Sequence, residues 1–121
     1  LDAQESVYAG TSVDVKTRGA LKNQKVLAAR DRVTLSSDGQ LNNSGTIQAG
    51  INDDNSRNAN GDVSLNGNTI NNTGNVIASR NLTATAAQSL DNSGAIQAVA
   101  AASAPADSGN VTLKGKTFNN T

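Results

Sequence analysis

Apolar and polar residues alternate in short stretches along this chain, and these stretches recur at a nearly fixed interval. A large apolar residue, here called the marker, opens each repeat; the markers are Leu1, Leu21, Leu41, Ile70, Leu90 and Phe118. Successive markers are 20, 20, 29, 20 and 28 residues apart, so the basic period is 20 and two repeats contain insertions. A fixed period of this length is typical of solenoid proteins.

Each repeat contains two further apolar pairs with the spacing of a half-buried strand. Eight residues after each of the first five markers there is always an alanine: Ala9, Ala29, Ala49, Ala78 and Ala98. The residue two positions before each alanine is Val, Leu or Ile. A second pair follows, as Val13 and Val15 in the first repeat and Val63 and Leu65 in the third. Because such spacing exposes one strand face and buries the other, each repeat is predicted to contain about three short strands.

If the chain winds into a coil, each strand can pair with its equivalent in the next repeat. This arrangement accounts for the whole pattern of recurring apolar and polar positions. One repeat alone would bury too few side chains to offset the cost of ordering its residues, whereas stacked repeats share a core. The sequence therefore predicts an all-β fold, a right-handed parallel β-helix of about 20 residues per coil. A left-handed β-helix built on hexapeptides is the main competitor, but its coils need a multiple of six residues. We expect one segment of a longer filament, with coils at 1–20, 21–40, 41–69, 70–89 and 90–117 and a partial coil at 118–121.

Polar residues also occupy equivalent positions in successive repeats. Two residues after the marker, an asparagine recurs as Asn23, Asn43, Asn72, Asn92 and Asn120. Stacked at the strand spacing, these side chains are expected to form a ladder of amide hydrogen bonds; a polar ligand-binding stripe is the alternative. A glycine recurs two residues later as Gly45, Gly74 and Gly94, which we interpret as a requirement for positive φ. The same position holds Glu5 and Lys25 in the first two repeats.

The two insertions begin at the same point of their repeats, directly after Ala49 and Ala98. They span 50–62 and 99–110, and both are expected to be surface loops without core contacts. The stretch 99–106 is the only candidate for a helix, and Pro105 near its end favours a loop. Asn52-Asp53-Asp54-Asn55 could suggest a calcium site, but the glycine and terminal glutamate of an EF-hand are missing, so a solvated loop is favoured.

Composition narrows the classes of function. Ten basic residues balance ten acidic ones, which removes the electrostatic basis for binding nucleic acid or an anionic membrane. No run of about 18 apolar residues is present, so membrane insertion is not expected. With one Tyr, one Phe and no Trp, bulky material for an ordinary globular core is scarce. No cofactor is implied by any motif.

The charged residues offer only weak candidates for a working site. Polysaccharide-cleaving β-helices need carboxylates that converge on one face, whereas Asp14, Asp31 and Asp38 fall at different positions of the coil, and His and Cys are absent. We therefore expect no enzyme and no metal site. Basic residues gather in the early coils, where Lys22, Lys25, Arg30 and Arg32 could contact a sulfated glycan. The alternative is that these charges are solvated or discourage wrong strand pairing.

The motif Leu-x-Asn-x-Gly-x-Ile-x-Ala is present, with conservative exchanges, at 41–49, 70–78 and 90–98. It resembles the haemagglutinin repeats of two-partner-secretion exoproteins, the family of filamentous haemagglutinin adhesins and contact-dependent growth inhibition proteins. The resemblance covers these three repeats well, the first two loosely, and the end of the chain only through Phe118-Asn119-Asn120-Thr121.

This resemblance implies a structural shaft segment of a large secreted protein on the outer surface of a Gram-negative bacterium, a virulence-associated class. It implies export through an outer-membrane transporter and a filament that extends a distal recognition or toxin module. The flanking coils of the same chain would then be its main partners. The alternative function is an adhesive module that binds a host glycan or receptor, on a host or target cell, through its protruding loops or basic coils.

Overall fold

A computed structural model describes residues 2–3, 6–52, 54, 56, 58, 61–98 and 109–120. The side chains at positions 2 and 3 are outside this description. Within these ranges the chain is all-β, and every strand pair is parallel. These ranges include no helix long and apolar enough to cross a membrane. The helix candidate at 99–106 lies outside the described residues.

The strands are short in the first repeats and longer in the later ones. Their bounds are β1 Asp2–Ala3, β2 Val7–Ala9, β3 Ser12–Thr17, β4 Leu21–Asn23, β5 Val26–Ala29, β6 Arg32–Ser37, β7 Gln40–Asn43, β8 Thr46–Ala49, β9 Asp62–Asn72, β10 Asn75–Ala78, β11 Leu82–Asn92, β12 Ala95–Ala98, β13 Val111–Lys114 and β14 Thr117–Asn120. In β9 and β11, the strand of the second apolar pair runs on into the next marker strand.

The strands form two sheets. The larger has nine strands, six of which follow one another in the order β1, β4, β7, β9, β11, β13. Of the other three, β6 pairs with β9, β3 pairs with β6, and β14 pairs with β11. The smaller has five strands in the order β12, β10, β8, β5, β2. Successive strands of one repeat therefore alternate between the sheets: β4 lies in the larger, β5 in the smaller, and β6 in the larger again.

Strand register follows the sequence repeat. Leu21 pairs with Leu41, Leu41 with Ile70, Ile70 with Leu90 and Leu90 with Phe118. The extra residues of these two repeats leave the marker pairing unchanged, because the markers stay aligned across steps of 29 and 28 residues as well as 20.

One irregularity interrupts this register between β9 and β11. Ala86 pairs with Gly67 and Ser89 with Thr69, so two residues of β11 stand opposite Asn68 alone. This is the geometry of a β-bulge, in which the extra residue bends the strand locally. The cause is a difference of one residue in the distance from the second apolar pair to the next marker: Val63 to Ile70 spans seven positions, but Leu82 to Leu90 spans eight.

Inward-facing side chains of both sheets pack into one apolar cluster. The markers Leu21, Leu41, Ile70 and Leu90 are at most 1% exposed, and the smaller sheet contributes Leu27, Ile47 and Val76 to the same cluster. Val111 and Phe118 are 41% and 44% exposed, because they lie on the edge strands β13 and β14. The core therefore runs along the stacking direction, between the two sheets.

The first insertion is not wholly a surface loop. Its second residue, Ile51, is only 6% exposed, and its backbone N–H donates to the carbonyl of Ala29 across 3.1 Å. The Tyr8 hydroxyl donates to the carbonyl of Ile51 across 2.9 Å. The expectation of a surface loop is therefore wrong at Ile51, which is covered on the outer side of the smaller sheet beside Ala28 but lies outside the common apolar cluster. Of the second insertion only Gly109 and Asn110 are described.

Candidate functional site

The recurring asparagines are joined by their side chains. Nδ2 of each residue donates to Oδ1 of the next, from Asn23 to Asn43, Asn72, Asn92 and Asn120, and all four bonds measure 2.8 Å. We call this set the asparagine ladder. Its first three members are 1% exposed and Asn92 is 8% exposed, so these amides are removed from water. A buried amide is tolerated only when it is hydrogen-bonded.

The side-chain amides of Asn23, Asn43 and Asn72 also donate to backbone carbonyls in their own repeat and in the next repeat. Nδ2 of Asn43 donates to the carbonyl of Gly45 at 3.2 Å and to that of Asn75 at 3.0 Å. Asn72 repeats this arrangement with Gly74 and Ala95. Because carbonyls only accept, the atom facing them must be Nδ2, and this fixes the orientation of each amide. The ladder therefore has a direction, with every donor pointing toward the later repeat.

The acceptor end of the ladder is incomplete. Oδ1 of Asn23 is buried and has no hydrogen-bond partner among the described residues. The residue in register with Asn23 on the preceding strand is Ala3, which has no amide to donate. The replacement of asparagine by alanine at this one position, visible in the sequence, thus corresponds to a buried unsatisfied acceptor.

The glycine column has a different cause from the one expected. Among the described residues, positive φ is found at Gly50 and Gly109, with values of 85° and 86°, and not at Gly45, Gly74 or Gly94. At Gly74 a Cβ atom would lie 2.0 Å from the carbonyl oxygen of Gly45, and Gly45 and Gly94 show the same clash with the preceding repeat. The positive-φ prediction is therefore wrong: glycine is needed because adjacent backbones approach too closely for a side chain.

The alanine column lies inside the core where it is flanked by strands on both sides. Ala29, Ala49 and Ala78 are 0% exposed, whereas Ala9 and Ala98, on the outermost strands of the smaller sheet, are partly buried. Within this column Ala9 pairs in register with Ala29, Ala29 with Ala49, and Ala78 with Ala98.

The four basic candidates of the second repeat lie on different elements. Lys22 is on β4, Lys25 precedes β5, Arg30 follows β5 and Arg32 begins β6, and all four are exposed. Arg32 is in register with Asp62. The structure spreads these charges around one repeat instead of gathering them on one strand face.

The carboxylates are also dispersed. Asp14 lies on β3, whereas Asp31 and Asp38 lie in the bends that flank β6, and all three are exposed. No group of three or more acidic, His or Cys side chains that could hold a metal ion occurs among the residues with described positions. An ion pair joins Arg80 to Asp62 at 3.8 Å, a surface contact of small energetic weight.

The described part of the Asn-Asp segment forms a local hydrogen-bonded turn. The Ser56 hydroxyl and backbone N–H both donate to Oδ1 of Asp54, and these bonds lower the pKa of Asp54 below its ordinary value. Nδ2 of Asn52 donates to the Ser56 hydroxyl. Asp53 and Asn55, the other residues considered for calcium, lie outside the described residues.

Two features of the structure had not been expected from the sequence. The ends of the first insertion meet at Gly50 and Gly61, and Ser79 closes this stem by accepting the Gly61 N–H at 3.0 Å. A second polar column caps strand starts, with Asp62 accepting from the Asn81 N–H and Asn81 from the Asn110 N–H. The sequence hint of both features is that the two insertions end in similar pairs, Gly61-Asp62 and Gly109-Asn110.

These observations define a class: an all-β protein of stacked parallel strands, with two sheets around a common core and a buried amide ladder. Comparison with known proteins finds no matching family model, no similar curated protein and no similar solved structure. The class is therefore defined by the geometry of this chain alone.

Proposed function

We propose that this chain is a segment of a right-handed parallel β-helix that acts as a rigid shaft in a large secreted bacterial surface protein of the haemagglutinin-repeat type. The observation that carries the proposal is the in-register pairing of each marker with the next, across steps of 20, 29, 20 and 28 residues. A chain that pairs every repeat with its successor can grow only along the stacking direction.

The path of the chain supports coiling. In the second repeat it runs from the larger sheet to the smaller and back, as β4, β5 and β6, and the third repeat follows with β7, β8 and the first part of β9. Inward residues from both sheets share one core, which is the arrangement of a wound coil. Connections between parallel strands of one sheet are almost always right-handed, and this gives the coil its proposed hand.

The proposed setting comes from the motif resemblance. It consists of export through an outer-membrane transporter, location on the surface of a Gram-negative cell and a distal recognition or toxin module carried by the shaft. The internal ladder and the close backbone stacking at Gly74 favour a spacer over a catalyst, because both features hold one repeat against the next.

Scattering measurements test the shaft. Three extra tandem copies of Ile70–Ser89 should lengthen the particle by about 14 Å, three strand spacings, without changing its cross-section. The control is the same number of residues added as a Gly/Ser stretch within the first insertion, which should broaden the particle without lengthening its core. A cross-section that grows with the number of copies would refute the coil.

The adhesive alternative is separated from the shaft by a heparin column at physiological salt. The spread of Lys22, Lys25, Arg30 and Arg32 over different elements predicts no retention of this chain. Retention that disappears when Arg30 and Arg32 become Ser would instead support an adhesive module that uses its basic coils.

A further inference from the structure

A polar groove runs along the stacking direction on the outer surface beside the asparagine ladder. One wall is formed by the residues that follow each marker, which lie in register: Lys22, Asn42, Asn71, Asp91 and Asn119. The facing wall is formed by the residues that follow each ladder asparagine: Gln24, Ser44, Thr73 and Ser93. We call this feature the amide groove. It crosses five strands, and therefore extends over about 19 Å at the usual strand spacing.

Two cavities make up the groove. One of about 250 Å³ is lined by residues from Lys22 to Thr73, and one of about 290 Å³ by residues from Asn71 to Asn119. Asn71 lines both, so the two cavities are neighbours along the stacking direction. Every residue that lines either cavity is polar. By contrast, the cavity near Tyr8 includes Val7, Val26 and Ile51.

The centre of the groove contains hydrogen-bonding groups that the fold does not use. The side chains of Asn42 and Asn71 are half-buried, and no hydrogen bond engages either of them in the described part of the chain. The hydroxyls of Ser44 and Thr73, opposite them, make only long contacts of 3.5 and 3.4 Å to backbone carbonyls. Each of these groups can both donate and accept.

The charges of the groove lie toward its ends. Lys22 lies at one end, and Asp91 lies beyond Asn71 toward the other, where its Oδ1 accepts from Nδ2 of Asn119 at 2.7 Å. The central part, between Asn42 and Thr73, is uncharged. An anionic ligand along the groove would gain from Lys22 and be repelled by Asp91, so the site does not favour either sign of charge.

From this arrangement we propose that the amide groove binds a neutral, linear glycan laid along the stacking direction. Hydroxyl groups along the edges of an extended sugar chain both donate and accept, which matches the paired rows of amides and hydroxyls. A peptide with large apolar side chains would find no apolar residue in the lining, and a nucleic acid would find too few cations. The proposal does not depend on the shaft role, because the rows follow from strand register alone.

NMR titration of the ¹⁵N-labelled chain tests the site. The probes are four neutral linear hexasaccharides that differ in sugar or linkage: cellohexaose, laminarihexaose, mannohexaose and chitohexaose. At least one should shift the side-chain amide signals of Asn42 and Asn71 saturably at millimolar concentration, with the exposed Asn68 amide unmoved. The double variant N42A/N71A should bind that sugar about tenfold more weakly, the factor expected from two neutral hydrogen bonds.

The matched control is Asn68→Ala, an exposed asparagine outside the amide groove, which should leave the affinity unchanged. Circular dichroism checks that the variants are folded, and the signal map of the parent chain gives a second readout that needs no variant. Absence of saturable shifts with all four sugars would overturn the proposal. So would shifts centred outside the groove, or a heparin hexasaccharide that binds there when the neutral sugars do not.

Discussion

Asn43 donates its side-chain N–H to Oδ1 of Asn72 across 2.8 Å, although the two residues are 29 positions apart. Asn23 and Asn43 are joined by a bond of the same length across 20 positions. The insertion between Asn43 and Asn72 therefore leaves the stacking of these amides undisturbed. The hydrogen bonds of the ladder therefore depend on strand register and not on how far apart the residues lie in the sequence.

Breaking the ladder in the middle should be costly. Asn72→Ala removes the acceptor of Asn43 and the donor to Asn92, all in a buried setting. The free energy of unfolding should fall by about 2–3 kcal/mol, since buried groups lose their partners. Urea denaturation measures it. Asn71→Ala, on the outward side of the same strand, is the control and should cost less than about 0.5 kcal/mol. Equal losses in both variants would show that the ladder bonds add nothing.

Completing the ladder at its acceptor end should stabilise the fold. Ala3→Asn places an amide in register with Asn23, and the direction of the ladder points its N–H toward the unpaired Oδ1. A gain of about 0.5–1.5 kcal/mol is expected for one new hydrogen bond. Ala3→Asp has a similar shape but no N–H to donate, so it should give no gain and, next to a buried acceptor, a loss. Thermal melts of the two variants that coincide would contradict this account.

Substitutions in the glycine column can distinguish two reasons for glycine that the sequence alone cannot separate, a close backbone approach and a positive φ. If close approach is the cause, Gly74→Ala and Gly74→Asn should both destabilise the fold by more than about 2 kcal/mol, because either Cβ meets the carbonyl of Gly45. If positive φ were the cause, Asn would be tolerated far better than Ala. Gly19→Ala is the control: a Cβ there meets nothing within 4 Å, so stability should change by less than about 1 kcal/mol.

These cases show what the sequence pattern could and could not predict. Recurrence of Leu, Ala and Asn at fixed positions predicted an all-β chain of short strands, because the two-residue period of a strand is written directly into side-chain polarity. The same pattern gave no φ for Gly74, since a positive φ and a close backbone approach select the same residue. It also missed the buried Ile51, because a single apolar residue in a polar insertion has no periodic partner.

Ile51 is expected to attach the first insertion to the smaller sheet. Ile51→Ser should lower the free energy of unfolding by about 2 kcal/mol, the order of magnitude for a buried side chain of this size. Val26→Ser is the control, since Val26 is already 38% exposed and should lose less than half as much. Denaturant titrations compare them. If the loop contributes nothing to stability, Ile51→Ser should lower the free energy of unfolding no more than Val26→Ser does.

Deletion of one whole repeat should be tolerated, whereas deletion of half a repeat should not. Removing Ile70–Ser89 joins Thr69 to Leu90, and every column closes on its equivalent, because Leu90 already pairs in register with Ile70. The product should fold, with the stack shorter by about 4.8 Å. Removing only Ile70–Ser79 instead brings Arg80 to the position of the marker Ile70 and Leu82 to that of Asn72, and it shifts every later strand against its neighbour.

The shortened chain that lacks half a repeat should aggregate or unfold, because Arg80 and Gln88 would take the buried positions of Ile70 and Ala78. Circular dichroism and small-angle scattering on both deletions give the answer, with the ladder as an internal check. In the whole-repeat deletion Asn43 should still reach an asparagine, Asn92, whereas the half-repeat deletion removes Asn72 and puts Leu82, which has no amide, in its position. If the two deletions behave alike, the 20-residue unit is not a structural turn, and the proposed β-helical shaft fails with it.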